Sequence, residues 1–245
     1  MKAAIVTGAS SGFGEAISLM LLGEGYRVYG LARRYERLKN TFEKFKNFVP
    51  YEINLLGNKE IETFFKKIGV DKNLCLLVNC AGLALGADPY DQMKLKDVDT
   101  MIGTNITALA HMIHHFLKTE NKEKYIINLG SIAGNYVYPN NNVYGGTKAF
   151  VNHFSKNLRS DLLGKNIRIT SIEPGLAKTE FSLVRLKGNR EKAEAIYKNT
   201  EYIKATDIAE IVKMLIHLPK HLNINSIEVM PITQSNGPLQ IYRFS

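Results

Sequence analysis

The chain has 245 residues, 45% hydrophobic and 22% charged, with 32 Lys and Arg against 23 Asp and Glu for a formal net charge of +9. That apolar content excludes a disordered chain, two cysteines exclude a disulfide scaffold, and the length permits one or two domains. The lysines are scattered (Lys39, Lys44, Lys46, Lys66, Lys67, Lys122, Lys124), with no basic helix or aromatic-interleaved stripe, which argues against nucleic acid. The excess is either a solvated surface or a positive potential that suits small anions such as nucleotide phosphates and carboxylates.

In chain order, short β-branched runs alternate with helix-length amphipathic segments. Strands are expected at Ala3–Thr7, Arg27–Ala32, Val49–Asn54, Leu74–Asn79, Tyr125–Leu129, Arg168–Glu173 and Ser226–Met230. Helices are expected at Gly12–Gly23, Tyr35–Lys46, Lys59–Ile68, Asp97–Leu117, Tyr144–Leu163 and Thr206–Leu218. Such alternation implies an α/β fold, a doubly wound parallel sheet with helices on both faces. The strand cores AAIV, LCLLV and YIIN are continuously apolar, as expected when both faces are covered. No linker, repeat or low-complexity tract breaks the series, so residues 1–245 read as one domain. Residues 174–199 interrupt the alternation; a long insertion at the carboxyl end of a strand is expected to be a lid or binding loop.

The apolar run Leu74–Ala87 is shorter than the about 20 residues that span a bilayer, and Asn79 interrupts it. The apolar run after Lys2 reaches Thr7-Gly8 too soon for a signal peptide. Cys75 and Cys80, five apart in one apolar run, read as buried thiols. A cytoplasmic protein without a membrane partner is expected.

The first turn, Thr7-Gly8-Ala9-Ser10-Ser11-Gly12-Phe13-Gly14, joins an apolar strand to an amphipathic helix. Gly8 permits a tight turn, Gly12 lets the backbone approach a pyrophosphate, and Gly14 lets the helix pack closely on the strand. The spacing is G-x-x-x-G-x-G, and the alternative is a glycine-rich turn without a ligand. A carboxylate for a ribose 2′-hydroxyl is expected at the end of the second strand. That strand ends Leu31-Ala32-Arg33-Arg34 instead. Arginines match a 2′-phosphate, which favours NADP over NAD; the bland alternative is that they begin a solvated helix.

Ser131 follows the fifth strand, and Tyr144 and Lys148 are spaced i, i+4, so both project from one face of a helix. A phenol has a pKa of about 10, and a nearby ammonium is expected to lower it. Ser131 could hold a substrate oxygen while Tyr144 exchanges its proton and hydride passes to or from a nicotinamide. Alone, Tyr-x-x-x-Lys is as well explained by core packing and a surface lysine.

Together, Thr7-Gly8-x-x-x-Gly12-x-Gly14, Asn79-Cys80-Ala81-Gly82, Asn105, Ser131, Tyr144-x-x-x-Lys148 and Pro174-Gly175 resemble the short-chain dehydrogenase/reductase family, from residue 3 to the C-terminus. The resemblance implies a Rossmann-type sheet in the order 3-2-1-4-5-6-7 and often a homotetramer. It makes Asn105, Ser131, Tyr144 and Lys148 a catalytic tetrad, with Asn105 helping to hold a water that links the lysine to solvent. It assigns cofactor contacts to Gly8, Ala9, Ser10, Ser11, Gly12, Phe13, Gly14, Arg33, Arg34, Asn54, Leu55, Asn79, Cys80, Ala81, Gly82, Tyr144, Lys148, Pro174, Gly175, Leu176, Thr179 and Phe181. Two positions depart from the family pattern: Cys80 replaces an Asn, and Asn54-Leu55 replaces an Asp-Val that faces the adenine.

Within the family, the segments Gly12–Glu15, Ala81–Gly86, Asn142–Gly145, Ile172–Gly175, Thr179–Ser182 and the tail Asn223–Ser235 are similar to bacterial NADP-dependent 3-hydroxy acid dehydrogenases, which act on serine and allo-threonine and reduce malonic semialdehyde. A reductase of ketones, diketones or acyl-linked ketones is the second reading, and a non-catalytic NADP sensor the third. A substrate carboxylate needs a cation; Arg185 is the first candidate, with Lys178, Lys187 and Gln234 also in view. His111 and His115 are i, i+4, but lack the pattern of a metal site, and no metal is expected. Apolar faces including Met101, Ile102, Ile106, Leu109, Ile113, Phe150, Val151, Phe154 and Leu158 could serve a helix-packed dimer or the core.

Overall fold

In the computed structural model, the described residues are 1–236, 241, 243 and 244. The strands are β1 (Ala3–Thr7), β2 (Arg27–Ala32), β3 (Phe48–Glu52), β4 (Leu74–Asn79), β5 (Lys124–Leu129), β6 (Ile167–Pro174) and β7 (Ser226–Val229). They form one sheet in the order β3-β2-β1-β4-β5-β6-β7, and every pairing is parallel. The connection reverses direction at β1, so the carboxyl ends of β1 and β4 border a crevice where ligands of such sheets bind.

Alternation along each strand feeds two cores. Ala4 and Val6 of β1 point to one face, where Ile17 and Leu21 of α1 (Gly12–Gly23), Leu38 of α2 (Tyr35–Phe42) and Val212 of α9 (Ala205–His217) cover them. Ala3 and Ile5 point to the other face, against Phe64 of α3 (Asn58–Ile68), Phe116 of α5 (Leu109–Leu117) and Val151 of α6 (Asn142–Asp161). Both faces being dry, β1 is buried along its whole length, which is why its sequence shows no polar alternation.

The expected elements are all present, with shifted ends. Helix α2 stops at Phe42 rather than Lys46, because Phe42 turns inward to stack on Phe48 with ring centroids 3.8 Å apart. Pro50 sits within β3, tolerated because β3 is an edge strand. The expected helix over Asp97–Leu117 is three pieces: α4 (Leu95–Ile102), a π-helical stretch at Gly103–Ala108, and α5. The 174–199 insertion is not irregular. It holds α7 (Phe181–Arg185) and α8 (Arg190–Ala195), with the Ser182 hydroxyl bonded to the Tyr197 phenol.

Of the apolar helix faces, Met101, Leu109, Ile113, Val151 and Leu158 are consumed within this chain. Ile102 is 41% exposed, while Ile106, Phe150 and Phe154 are half-buried. Both cysteines are free and only half-buried, less than expected for core thiols. His115 stacks on Phe65 at 5.5 Å, a packing role. Among the described residues no helix is long and apolar enough to cross a membrane.

One packing contact gives a stability prediction. A side chain added at Gly30, in β2, would overlap the Phe48 ring and drive it off Phe42. Gly30→Val should lower stability by about 1–3 kcal/mol through overpacking, read as a lower urea midpoint with an unchanged slope.

Candidate active site

A cavity of about 680 Å³ opens at the carboxyl ends of the strands, between the sheet and the segment 174–199. Its floor is the β1–α1 turn. Gly12 has a φ of +54°, a conformation that disfavours side chains, and a Cβ there would lie 3.2 Å from Cβ of Thr179 in the lid. A Cβ on Gly14 would overlap the Gly8 carbonyl, so the turn closes only with glycine there. No side chain caps the first turn of α1, leaving its backbone N–H groups for an anion.

Most expected cofactor contacts line this cavity: Gly8, Ser10, Ser11, Gly12, Phe13, Gly14, Arg33, Arg34, Asn54, Leu55, Cys80, Ala81, Gly82, Pro174, Gly175, Leu176, Thr179 and Phe181. Two do not. Ala9 is fully buried in the core, its N–H bonded to the Leu31 carbonyl at 3.2 Å. Asn79 faces into the sheet, where its amide donates to Oδ1 of Asn128 at 2.9 Å. Both lie behind the site, Ala9 packed in the core and Asn79 paired with Asn128 across the β4–β5 ladder. The side-chain oxygen Oδ1 of Asn54 accepts from the Leu56 N–H at 3.2 Å, so it is partly spent on its own turn.

The two arginines after β2 differ. Arg33 lines the cavity without a hydrogen-bond or ion-pair partner among the described residues. Arg34 is committed: to Oγ of Ser10 at 3.2 Å, to Oγ of Ser11 at 2.7 Å, and to Glu180 at 2.8 Å. Arg37 binds the other oxygen of Glu180. The two arginines hold the Glu180 carboxyl below its ordinary range, against the opposing effect of its burial. Glu180 and Arg37 were not singled out by sequence reasoning, because nothing local relates residues 143 apart.

At the other end of the cavity, Ser131, Tyr144 and Lys148 come together. The Ser131 hydroxyl caps the short turn that follows β5, accepting from the Ala133 N–H at 3.1 Å. The Lys148 ammonium donates to the Leu129 carbonyl at 2.6 Å and lies 5.8 Å from the centre of the Tyr144 ring. Burial dominates both groups. It pushes the Tyr144 phenol well above its ordinary value, with the Ser131 hydroxyl pulling the other way, and it lowers Lys148 to about 8. The expected lowering of the phenol by the ammonium is therefore not achieved by these protein groups alone. Asn105, on the π-helical stretch, is 1% exposed. Its amide bonds both backbone groups of Leu83 (2.9 and 2.8 Å) and Oγ1 of Thr147 (3.0 Å), fastening the loop after β4 to α6. A Cβ on Gly82 would lie 3.4 Å from both the Asn105 oxygen and the Lys148 ammonium, so these two groups flank one point.

Of Lys178, Arg185 and Lys187, only Arg185 lines the cavity, where its guanidinium donates to the carbonyls of Asn140 (3.0 Å) and Gly86 (3.4 Å). Lys178 pairs with Glu194 and Lys187 with Asp97. Gln234 lines the cavity, but its carbonyl oxygen is taken by the Leu176 N–H at 2.7 Å, which anchors the base of the lid. Phe181 packs on Tyr144 at 5.3 Å.

The sequence matches the model of the short chain dehydrogenase family over residues 2–189. The chain belongs to that family. It is 45% identical to the serine 3-dehydrogenase of Agrobacterium fabrum over 244 residues, which covers 98% of each protein. It is 42% identical, with the same coverage, to the NADP-dependent 3-hydroxy acid dehydrogenase YdfG of Escherichia coli. Among solved structures, the closed form of serine dehydrogenase complexed with NADP+ superposes with a TM-score of 0.93 at 42% identity, covering 98% of this chain and 99% of that one.

Lys148 gives a pH prediction. Folded, it keeps its proton only below about pH 8; unfolded, it keeps it to near 10.5. The unfolded chain therefore holds the extra proton between those values, so this group's contribution to stability improves as pH rises through that window. Below it, the fold bears a buried charge. Lys148→Met should accordingly gain most, relative to wild type, at pH 7 and least at pH 10, in paired urea unfolding curves.

Proposed function

We propose that the protein is an NADP-dependent oxidoreductase acting on the CH–OH group of a small 3-hydroxy acid, of the serine, allo-threonine or 3-hydroxypropionate/malonic semialdehyde type. The observation that carries this reading is one cavity holding Ser131, Tyr144 and Lys148 together with the lid cation Arg185, beside a glycine turn that closes on an uncapped helix terminus. The named activities of the relatives are of the same class.

The residues present fit NADP. The turn from Gly8 to Gly14 offers backbone N–H groups to a pyrophosphate, and Arg33 offers a free guanidinium to a 2′-phosphate. Arg34, already fastened to Ser10 and Ser11, holds the phosphate turn against α2 and completes the positive rim. Asn54 and Leu55 would hold the adenine end, and Cys80, Ala81, Gly82, Pro174, Gly175, Leu176, Thr179 and Phe181 would line the path to the nicotinamide end. Bound there, the nicotinamide supplies or accepts the hydride.

Ser131 orients the substrate hydroxyl. Tyr144 takes its proton at the phenol oxygen on oxidation and returns it on reduction. Burial alone makes Tyr144 a poor base, so the Lys148 ammonium and the Ser131 hydroxyl are the groups that must stabilise its anion at the moment of transfer. Asn105 holds the loop bearing Gly82 at the distance that keeps Lys148 in place. Arg185 meets the substrate carboxylate while the lid, pinned by Gln234 and Glu180, excludes water.

The 1–245 chain acts as one domain with residues 174–199 as its lid. The exposed Ile102 and the half-buried Ile106, Phe150 and Phe154 support a helix-packed dimer, and with the family likeness a cytoplasmic homotetramer.

Two variants test the reading. Tyr144→Phe keeps the ring and removes only the hydroxyl, so kcat should fall at least 100-fold while NADPH still binds, as followed by its fluorescence. Retained turnover would refute the proton-transfer role, and a protein that binds NADPH but never turns over any alcohol would instead be a sensor. Arg185→Leu should raise KM for serine or 3-hydroxypropionate about tenfold or more, with little effect on oxidation of 2-butanol. Equal losses on both substrates would place the carboxylate elsewhere and favour the ketone-reductase reading.

A further inference from the structure

The opposite end of the sheet, where β1, β4, β5 and β6 begin, holds a second cavity of about 390 Å³. Its wall carries five cations, Lys2, Lys72, Lys124, Arg168 and Lys220, and a single carboxylate, Glu123. Glu123 is taken by Lys220 at 2.8 Å, and Lys72 lies 4.0 Å from Glu120. Lys2, Lys124 and Arg168 have no carboxylate partner among the described residues.

Lys124 is the sharpest case. It is 5% exposed, and its ammonium donates only to the backbone carbonyls of Thr119 (3.0 Å) and Asn121. Burial alone lowers its pKa. A cation so placed calls for an anion. Arg168 lies with its guanidinium 4.1 Å from the centre of the Tyr125 ring, and the Lys2 ammonium lies 5.9 Å from that of Tyr26. Stacking fixes the plane of a guanidinium and turns its N–H edge outward, the geometry that grips a phosphate by two bonds. One N–H of Arg168 serves the Leu215 carbonyl near the end of α9, a weak contact at 3.4 Å. That leaves the other N–H groups of Arg168 and one of the three Lys124 donors without a hydrogen-bond partner among the described residues.

We propose that this cavity is a second binding site, for a small organic phosphate of nucleotide size. The excess of wall charge suits a multiply charged phosphate better than a single carboxylate. Ile216 and Leu218, half-buried in the wall, give the organic part an apolar surface to lie on. The volume lies within the range of small-molecule sites, about 300–1,000 Å³. The cavity shares no lining residue with the first one.

The test uses the protein saturated with NADP, so that the first cavity is filled, and titrates it calorimetrically with ADP, pyrophosphate and citrate. ADP should bind saturably, more tightly than pyrophosphate or citrate. Its affinity should fall at least tenfold in Lys2→Glu and in Arg168→Gln, and weaken with added salt. Lys2 is exposed, so Lys2→Glu keeps the test decisive even if Arg168→Gln fails to fold. Absence of saturable ADP binding, or affinities unchanged in Lys2→Glu, would overturn the proposal. Tighter binding of citrate would overturn the phosphate assignment, and equal binding of pyrophosphate would overturn the nucleotide-sized one.

Discussion

A buried run of hydrogen bonds joins the elements that carry the reacting groups. Asn79 at the end of β4 donates to Asn128 of β5 at 2.9 Å, Asn128 donates to Ser155 of α6 at 3.0 Å, and Ser155 donates to the Val151 carbonyl at 2.7 Å. All three side chains are buried, where an unmade hydrogen bond costs about 1–3 kcal/mol, and of the Asn79 amide only the oxygen lacks a partner among the described residues. Their pairing therefore sets how β4, β5 and α6 sit together. Those elements present Gly82, Ser131, and Tyr144 with Lys148, respectively. Asn105 adds a second tie from the same loop to Thr147 of α6. The arrangement of Ser131, Tyr144 and Lys148 thus rests on amides that do not line the cavity.

The segment 174–199 is fastened by residues close together in sequence that face different neighbours. Thr179 lies over Gly12, Glu180 bridges Arg34 and Arg37, Phe181 packs on Tyr144, and Arg185 reaches across to Gly86 and Asn140. The segment 179–185 therefore touches the glycine turn, the Arg34–Arg37 pair, Tyr144 and the far wall of the cavity. A lone surface ion pair is worth little. Two guanidiniums on one carboxylate, with Arg34 also fixed to two serines, make a network that holds its geometry better. It also means that Arg34 meets a bound 2′-phosphate only while sharing itself with a carboxylate, which leaves Arg33 as the cation with its donors free.

Burying a phenol and an ammonium together is costly, and the fold bears that cost at its functional centre. Neither Tyr144 nor Lys148 gains a carboxylate partner; Lys148 has a backbone carbonyl, and Tyr144 has a serine hydroxyl. Such sites trade stability for reactivity. The π-helical turn at Gly103–Ala108 belongs to the same account, since widened turns of this kind occur at functional positions, and here it carries Asn105.

The sequence by itself determined the parallel α/β sheet, its order through the family likeness, the glycine turn, and the identity of Ser131, Tyr144 and Lys148. These are properties of local chemistry and spacing: continuous apolar runs, glycines at a strand–helix junction, and i, i+4 placement on a helix. Only the tertiary structure decided which cations are free. Arg33 and Arg34 are adjacent and chemically identical, and it is the distant Glu180 that separates them. Arg185 differs from Lys178 and Lys187 only in which partners lie across the cavity. The break in the long helix at Asn105, the retreat of Ala9 and Asn79 from the cavity wall, and the dominance of burial over the lysine's charge at Tyr144 depend likewise on what surrounds each group. Hydrogen-bond partners and desolvation are set by residues far away in the chain, and no spacing rule within a single segment encodes them.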